Sequence, residues 1–130
     1  GRACWEPSFD ESAVGIKFVQ CASSIIYGNL VRFTGSNGIL VGAQSGTYPG
    51  TAGNYTVVAN NIVQTTGATG IHISFSPSCI ANGNNVTAAT TTSIGFFSGS
   101  NNSIAIGNRV TEPISISGST GCVATPNLAT

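Results

Sequence analysis

The chain has 130 residues, of which four are Lys or Arg, four are Asp or Glu and one is His, so its formal net charge is zero. Charged residues make up 6% of the sequence, against about 25% in an average soluble domain. This composition lacks the basic surface that nucleic-acid binding needs and the polybasic patch that binds membrane surfaces. We therefore expect no nucleic-acid partner. We also expect no membrane insertion, because no run of about 18 apolar residues occurs.

The chain begins with a polar segment, residues 1–14, which we interpret as an N-terminal lead-in or cap. It contains three of the four carboxylates, Glu6, Asp10 and Glu11. Trp5, in the same segment, is a candidate carbohydrate-binding residue because an aromatic face suits the C–H surface of a sugar ring.

From residue 15 onward, short apolar segments recur at fixed intervals. Residues 28–41 align with residues 60–73 at an offset of 32, and residues 61–63 are followed by 85–87 and 109–111 at offsets of 24. Within each segment apolar residues alternate with a period of two and β-branched residues dominate, which predicts strands. The excess of about eight residues in the longer offset indicates an insertion loop at 42–53. Tyr48 in this loop is the second candidate for stacking on a sugar.

Three short strands in every 23 to 24 residues predict a coil that closes once per repeat and stacks on its neighbours. The expected fold class is therefore all-β, a right-handed parallel β-helix of about five coils over residues 15–123, followed by a tail at 124–130. A β-sandwich is the alternative, although it does not explain identities at fixed offsets.

Stacked coils place equivalent residues above one another, which leads to two predictions about side chains. An asparagine ladder at one corner would consist of Asn29, Asn61, Asn85 (or Asn84) and Asn108. On the strands that begin with the motif Gly-Ile-x-Ile, the outward positions carry little charge and some apolar groups, as a subunit interface does. The candidate interface residues are Leu40, His72 and Phe97.

Residues with catalytic or metal-binding chemistry are scarce. His72 is the only histidine and has no Cys or carboxylate at ligand spacing, so we predict no metal site and no cofactor. A glycosidase needs two carboxylates, but Glu112 is isolated, so we predict no catalytic residue. The four cysteines, at positions 4, 21, 79 and 122, contain no C-x-x-C pair and are interpreted as small buried residues. A disulfide between Cys4 and Cys21 is the alternative.

The segments Gly70-Ile71-His72-Ile73 and Gly107-Asn108-Arg109-Val110 resemble the repeats of pectate-lyase-like parallel β-helix proteins. The abundance of Ser, Thr, Asn and Gly, together with the low charge, resembles a bacteriophage tailspike or tail-fibre fragment. The resemblance covers about residues 15–123.

This resemblance implies a homotrimer on the virion that attaches the phage to a host cell-surface polysaccharide. Two alternatives stay open. One is a polysaccharide-degrading enzyme, an endoglycosidase or lyase, whose site is shared between chains or lies in a missing domain. The other is a secreted, extracellular β-helix adhesin.

Overall fold

The computed structural model describes residues 14–19, 21–42 and 53–129. In these ranges the chain forms fifteen short strands and no helix, so the described residues include no helix that could cross a membrane. The strands are β1 (Ile16–Phe18), β2 (Ile25–Tyr27), β3 (Leu30–Thr34), β4 (Ile39–Gly42), β5 (Val57–Ala59), β6 (Ile62–Thr66), β7 (Ile71–Ser74), β8 (Ile80–Asn82), β9 (Asn85–Ala89), β10 (Ile94–Phe97), β11 (Ile104–Ile106), β12 (Arg109–Val110), β13 (Ile114–Ser117), β14 (Val123–Ala124) and β15 (Leu128–Ala129).

The strands form three parallel sheets, each with five rungs. Sheet A has the order β1-β4-β7-β10-β13, sheet B has the order β2-β5-β8-β11-β14, and sheet C has the order β3-β6-β9-β12-β15. Each coil therefore contributes one strand to every sheet, which confirms the predicted all-β parallel β-helix. The homotrimer stays a prediction.

The pairing register corrects two details of the predicted repeat. Ile62 pairs with Asn85 and Val63 with Val86, so the offset between these coils is 23 residues and not 24. At the other end, Leu128 pairs with Arg109. The strands therefore continue to Ala129, and the predicted tail from residue 124 is wrong, because this segment completes the last rung of sheet C.

The core lies between the three sheets and is filled by the alternating apolar residues of each strand. In sheet A the alternating apolar residues of the three central strands are fully buried: Ile39, Val41, Ile71, Ile73, Ile94 and Phe96. Ile116, which pairs in register with Phe96, is 42% exposed, because it lies on the last rung and no further described rung covers it.

The glycines of the Gly-Ile-x-Ile motif are required by packing at the corner where sheet C leads into sheet A. A Cβ atom on Gly38 would lie 2.5 Å from Cγ1 of Val63 and 2.7 Å from the carbonyl oxygen of Gly70. Gly15 and Gly70 face the corresponding valines, Val31 and Val86. The corner is thus too narrow for a side chain, and this explains why glycine precedes three of the sheet A strands.

Candidate functional site

An asparagine ladder runs along the corner between sheets B and C and fixes the register of the coils. The Oδ1 atom of each asparagine accepts hydrogen bonds from the backbone N–H and the Nδ2 atom of the asparagine on the preceding rung. For Asn61 these distances are 2.9 Å and 3.0 Å to Asn29. The members of the ladder are Asn29, Asn61, Asn84, Asn108 and Asn127.

The third member is therefore Asn84, which was the alternative at this position, and not Asn85. Because the offset between these coils is 23 residues, Asn61 lies above Asn84 and Asn85 falls one position later, inside β9. Asn85 has a half-buried side chain on the outer side of sheet C, and its Oδ1 atom has no hydrogen-bond partner. The ladder itself is saturated by internal bonds and is a structural element rather than a ligand site.

The predicted interface residues lie in one part of sheet A. Leu40, His72 and Gly95 are neighbours in register on three successive rungs. Leu40 is fully buried, so its assignment to an exposed interface is wrong: strand alternation predicts which side a residue faces but not whether that side is covered. His72 and Phe97 are half-buried, with ring centroids 4.6 Å apart and an interplanar angle of 37°.

The Phe97 ring lies over Gly95, where any Cβ atom would collide with it. Glycine at this position therefore lets Phe97 fold back onto the sheet and reach His72. Burial lowers the pKa of His72 from 6.5 to about 4, so the imidazole is neutral near pH 7. This arrangement is an uncharged aromatic pair, and a role in subunit contact stays a prediction.

The outer side of sheet C carries a column of hydrogen-bonding side chains. Arg32 pairs in register with Gln64, and Gln64 with Thr87. Next to this column, Phe33 is 68% exposed, and the guanidinium carbon of Arg32 lies 5.5 Å from the centre of its ring. Phe33 also has a left-handed backbone, with φ of 58°, a conformation that is uncommon for a bulky residue.

We call Arg32, Phe33, Gln64 and Thr87 the sheet C column. It offers a guanidinium, an amide and a hydroxyl at the spacing of the rungs, about 4.8 Å, beside an exposed aromatic ring. Sequence reasoning missed these residues. The offset of 32 aligns Arg32 with Gln64, but the predicted offset of 24 aligns Gln64 with Ala88, whereas the observed offset of 23 aligns it with Thr87.

A cavity of about 530 Å³ opens at the last rung, between the corner that follows β12 and the segment that ends in β15. Its lining includes Glu112, Thr111 and Asn127. Glu112 is the single carboxylate among the described residues, since the other three lie at positions 6, 10 and 11. The described part of this cavity therefore lacks the second carboxylate of a glycosidase. Trp5 and Tyr48, the predicted sugar-stacking residues, lie outside the described residues.

The thiols of the described part are spread along the solenoid. Cys21, Cys79 and Cys122 precede strands β2, β8 and β14, which are the first, third and fifth rungs of sheet B. Two rungs correspond to about 10 Å, too far for two thiols to share one metal ion. The Cys79 thiol donates to the carbonyl oxygen of Gly53 at 3.3 Å, and burial raises its pKa to about 11. Cys21 and Cys79 are buried as expected, while Cys122 is half-buried.

A protein-family model described as "Periplasmic copper-binding protein (NosD)" matches residues 6–125. No curated protein and no solved structure matches the chain. Copper in proteins is held by Cys, Met and His, but the sequence has no Met, and among the described residues no three His, Cys, Asp or Glu lie close enough to hold one ion. The described donors thus do not fit a copper site, although the family match extends over most of the sequence. On that match, the chain belongs to the NosD family, which is described as a family of periplasmic copper-binding proteins.

Proposed function

We propose that this chain is a non-catalytic, structural and receptor-binding segment of a homotrimeric phage tailspike that attaches to cell-surface polysaccharide. The sheet C column is the observation that carries the proposal. It combines an exposed aromatic ring with hydrogen-bonding groups aligned in register on three successive rungs. The low charge of the chain and its abundance of Ser, Thr, Asn and Gly, which resemble those of a tailspike, also support it.

A polysaccharide is the ligand class that suits this arrangement. The Phe33 ring can stack on the C–H face of a sugar, as aromatic side chains do on apolar surfaces. Arg32, Gln64 and Thr87 repeat at about 4.8 Å, which is comparable to the length of one sugar unit. A glycan chain lying along the solenoid axis would therefore meet a donor or acceptor at each rung. Arg32 adds a preference for a carboxylate-bearing sugar, because its guanidinium forms charge-assisted bonds.

We propose a virion location, with an extracellular adhesin as the alternative. The sheet C column supports both in the same way, since each would present a rigid solenoid face to a glycan. Immunodetection of the native chain in isolated phage tails and in cell-envelope fractions, with no protein added to either, separates the two locations.

The binding test uses two purified capsular polysaccharides, one neutral and one containing uronic acid, titrated calorimetrically. Phe33→Ala and Gln64→Ala are each expected to weaken binding about 10- to 100-fold, because an aromatic stacking contact and a polar contact each contribute about 1–3 kcal/mol. The matched control is Tyr55→Ala, an aromatic residue that is 62% exposed at a different corner. Equal losses in the variants and the control, or no binding by the unmodified chain, would refute the glycan site.

A polysaccharide-degrading enzyme is the second candidate, favoured by the position of Glu112 at the 530 Å³ cavity. A neighbouring chain would have to supply the second carboxylate. New reducing ends or unsaturated products that disappear in Glu112→Gln would establish this alternative. The proposed non-catalytic segment yields neither product with any of the polysaccharides it binds.

A further inference from the structure

The outer side of sheet B carries an unbroken column of β-branched apolar residues. Ile25 pairs in register with Val57, Val57 with Ile80, Ile80 with Ile104, and Ile104 with Val123. The same outward position is therefore aliphatic on all five rungs. With Tyr27 and Ile106, which flank the column at the far end of the strands, these residues form what we call the aliphatic face: Ile25, Tyr27, Val57, Ile80, Ile104, Ile106 and Val123.

These side chains are exposed to an extent that is unusual for a solvent-facing sheet. Ile25 is 69% exposed and Tyr27 is 63% exposed, and the isoleucines of β8 and β11 are 37–38% exposed. No Lys, Arg, Asp or Glu occurs in β2, β5, β8, β11 or β14. Antiparallel or solenoid sheets that face water normally alternate apolar residues inside with polar residues outside, so this face is built for contact.

The size of the aliphatic face is compatible with a protein contact. The exposed fractions correspond to roughly 600 Å² of surface, at the upper end of the largest apolar patch on a typical monomer and below the ~800 Å² per partner of a standard interface. The β-branched side chains are also rigid, so little rotamer entropy is lost when they become ordered.

We propose that the aliphatic face binds a second copy of this chain. The proposal rests on the self-association included in the proposed function and assigns it to sheet B, in place of the His72 and Phe97 region of sheet A. A copy is the partner that the face fits best, because around a threefold axis the columns of neighbouring copies repeat at the same rung spacing and their methyl groups can interlock over the full length. The absence of charge in the five strands gives no basis for selecting a charged partner.

The test is the solution mass of the unmodified chain and of variants, measured by light scattering after size-exclusion chromatography over a range of concentrations. The double variant Ile80→Asn, Ile104→Asn changes two exposed residues in the centre of the face. It is expected to raise the dissociation constant of the oligomer at least about 100-fold, because each lost aliphatic contact contributes about tenfold or more. Ile62→Asn is the control, since Ile62 is 42% exposed but lies on sheet C.

The outcomes separate the two proposals. An oligomer that dissociates in the double variant and persists in Ile62→Asn supports the aliphatic face as the contact. An oligomer that persists in all three proteins, with unchanged circular dichroism, overturns the assignment to sheet B but leaves self-association standing. A monomer of 13.1 kDa for the unmodified chain at concentrations up to about 1 mM overturns both the contact and the proposed trimer, while the glycan titration is judged separately.

Discussion

Replacing Asn84 by alanine is the most informative single perturbation of the asparagine ladder. The Asn84 side chain is 1% exposed and takes part in four hydrogen bonds. Its Oδ1 atom accepts from the backbone N–H and the Nδ2 atom of Asn61, both at 3.0 Å. Its Nδ2 atom donates to the carbonyl oxygen of Val58 at 2.9 Å and to Oδ1 of Asn108 at 3.0 Å.

The cost follows from the groups that lose a partner. Two of the four groups keep another partner, because Asn61 Nδ2 still donates to the carbonyl oxygen of Ile26 and Asn108 Oδ1 still accepts from the backbone N–H of residue 84. The backbone N–H of Asn61 loses the hydrogen bond that it makes to this side chain, whereas the carbonyl oxygen of Val58 lies in β5, which pairs with a strand on each side. Each buried group left unsatisfied costs about 1–3 kcal/mol. We therefore expect Asn84→Ala to lower the free energy of unfolding by about 3 kcal/mol, from one unsatisfied N–H and the loss of the other bonds to this side chain, which is a large part of a typical domain's stability.

The assay is urea unfolding followed by far-ultraviolet circular dichroism at pH 7. Asn85→Ala is a matched control, one residue further along the chain, since the Asn85 Oδ1 atom has no partner to lose. We expect this control to stay within about 0.5 kcal/mol of the unmodified chain. A loss of less than about 1 kcal/mol for Asn84→Ala, or a larger loss for Asn85→Ala, would refute the ladder as described.

Three further predictions concern packing, protonation and thiol reactivity. Gly38→Ala should lower the free energy of unfolding in urea by about 3 kcal/mol or more, because its Cβ would lie 2.5 Å from a valine methyl group. The control Gly99→Ala should lower it by only about 1 kcal/mol, because Gly99 has a φ of +81° and open space around it. Equal losses would contradict the narrow corner. Burial lowers the pKa of His72 to about 4 in the folded chain, so between pH 6.5 and 4 the unfolded chain binds a proton that the folded chain does not. The free energy of unfolding should therefore be unaffected by His72 above pH 6.5 and fall by up to about 3 kcal/mol as the pH approaches 4. His72→Phe should remove this part of the pH dependence of the unfolding midpoint, and an unchanged slope would show that His72 is not desolvated. A thiol reagent should modify Cys122 before Cys79 in the folded chain, because Cys79 is buried and burial raises its pKa to about 11. Peptide mapping by mass spectrometry gives the order of modification, and earlier modification of Cys79 would contradict its burial.

The coil architecture was predictable because packing imposes the same residue requirements on each coil. The narrow corner requires glycine before three of the sheet A strands, and the core requires apolar residues at every second position of each strand. The register was harder, because Asn84 and Asn85 are adjacent and either satisfies the ladder pattern. Only the pairing of Val63 with Val86 decides between them.

The candidate site was less predictable than the fold. Strand alternation placed Leu40 on the outer side of sheet A but contained no information on whether that side is covered. The Leu40 side chain is in fact fully buried. The sheet C column was missed because Arg32, Gln64 and Thr87 differ in type, and a search for identical residues does not detect a column whose members share only hydrogen-bonding capacity.

The measurement that tests the account most directly is a combined binding and turnover assay of the unmodified chain. The protein is incubated with each of the two capsular polysaccharides, bound glycan is measured by equilibrium dialysis, and reducing ends and unsaturated products are measured in the same samples. The account predicts saturable binding of at least one polysaccharide with no increase in either product over a day. Catalytic release of products, or the absence of saturable binding to both, would contradict it.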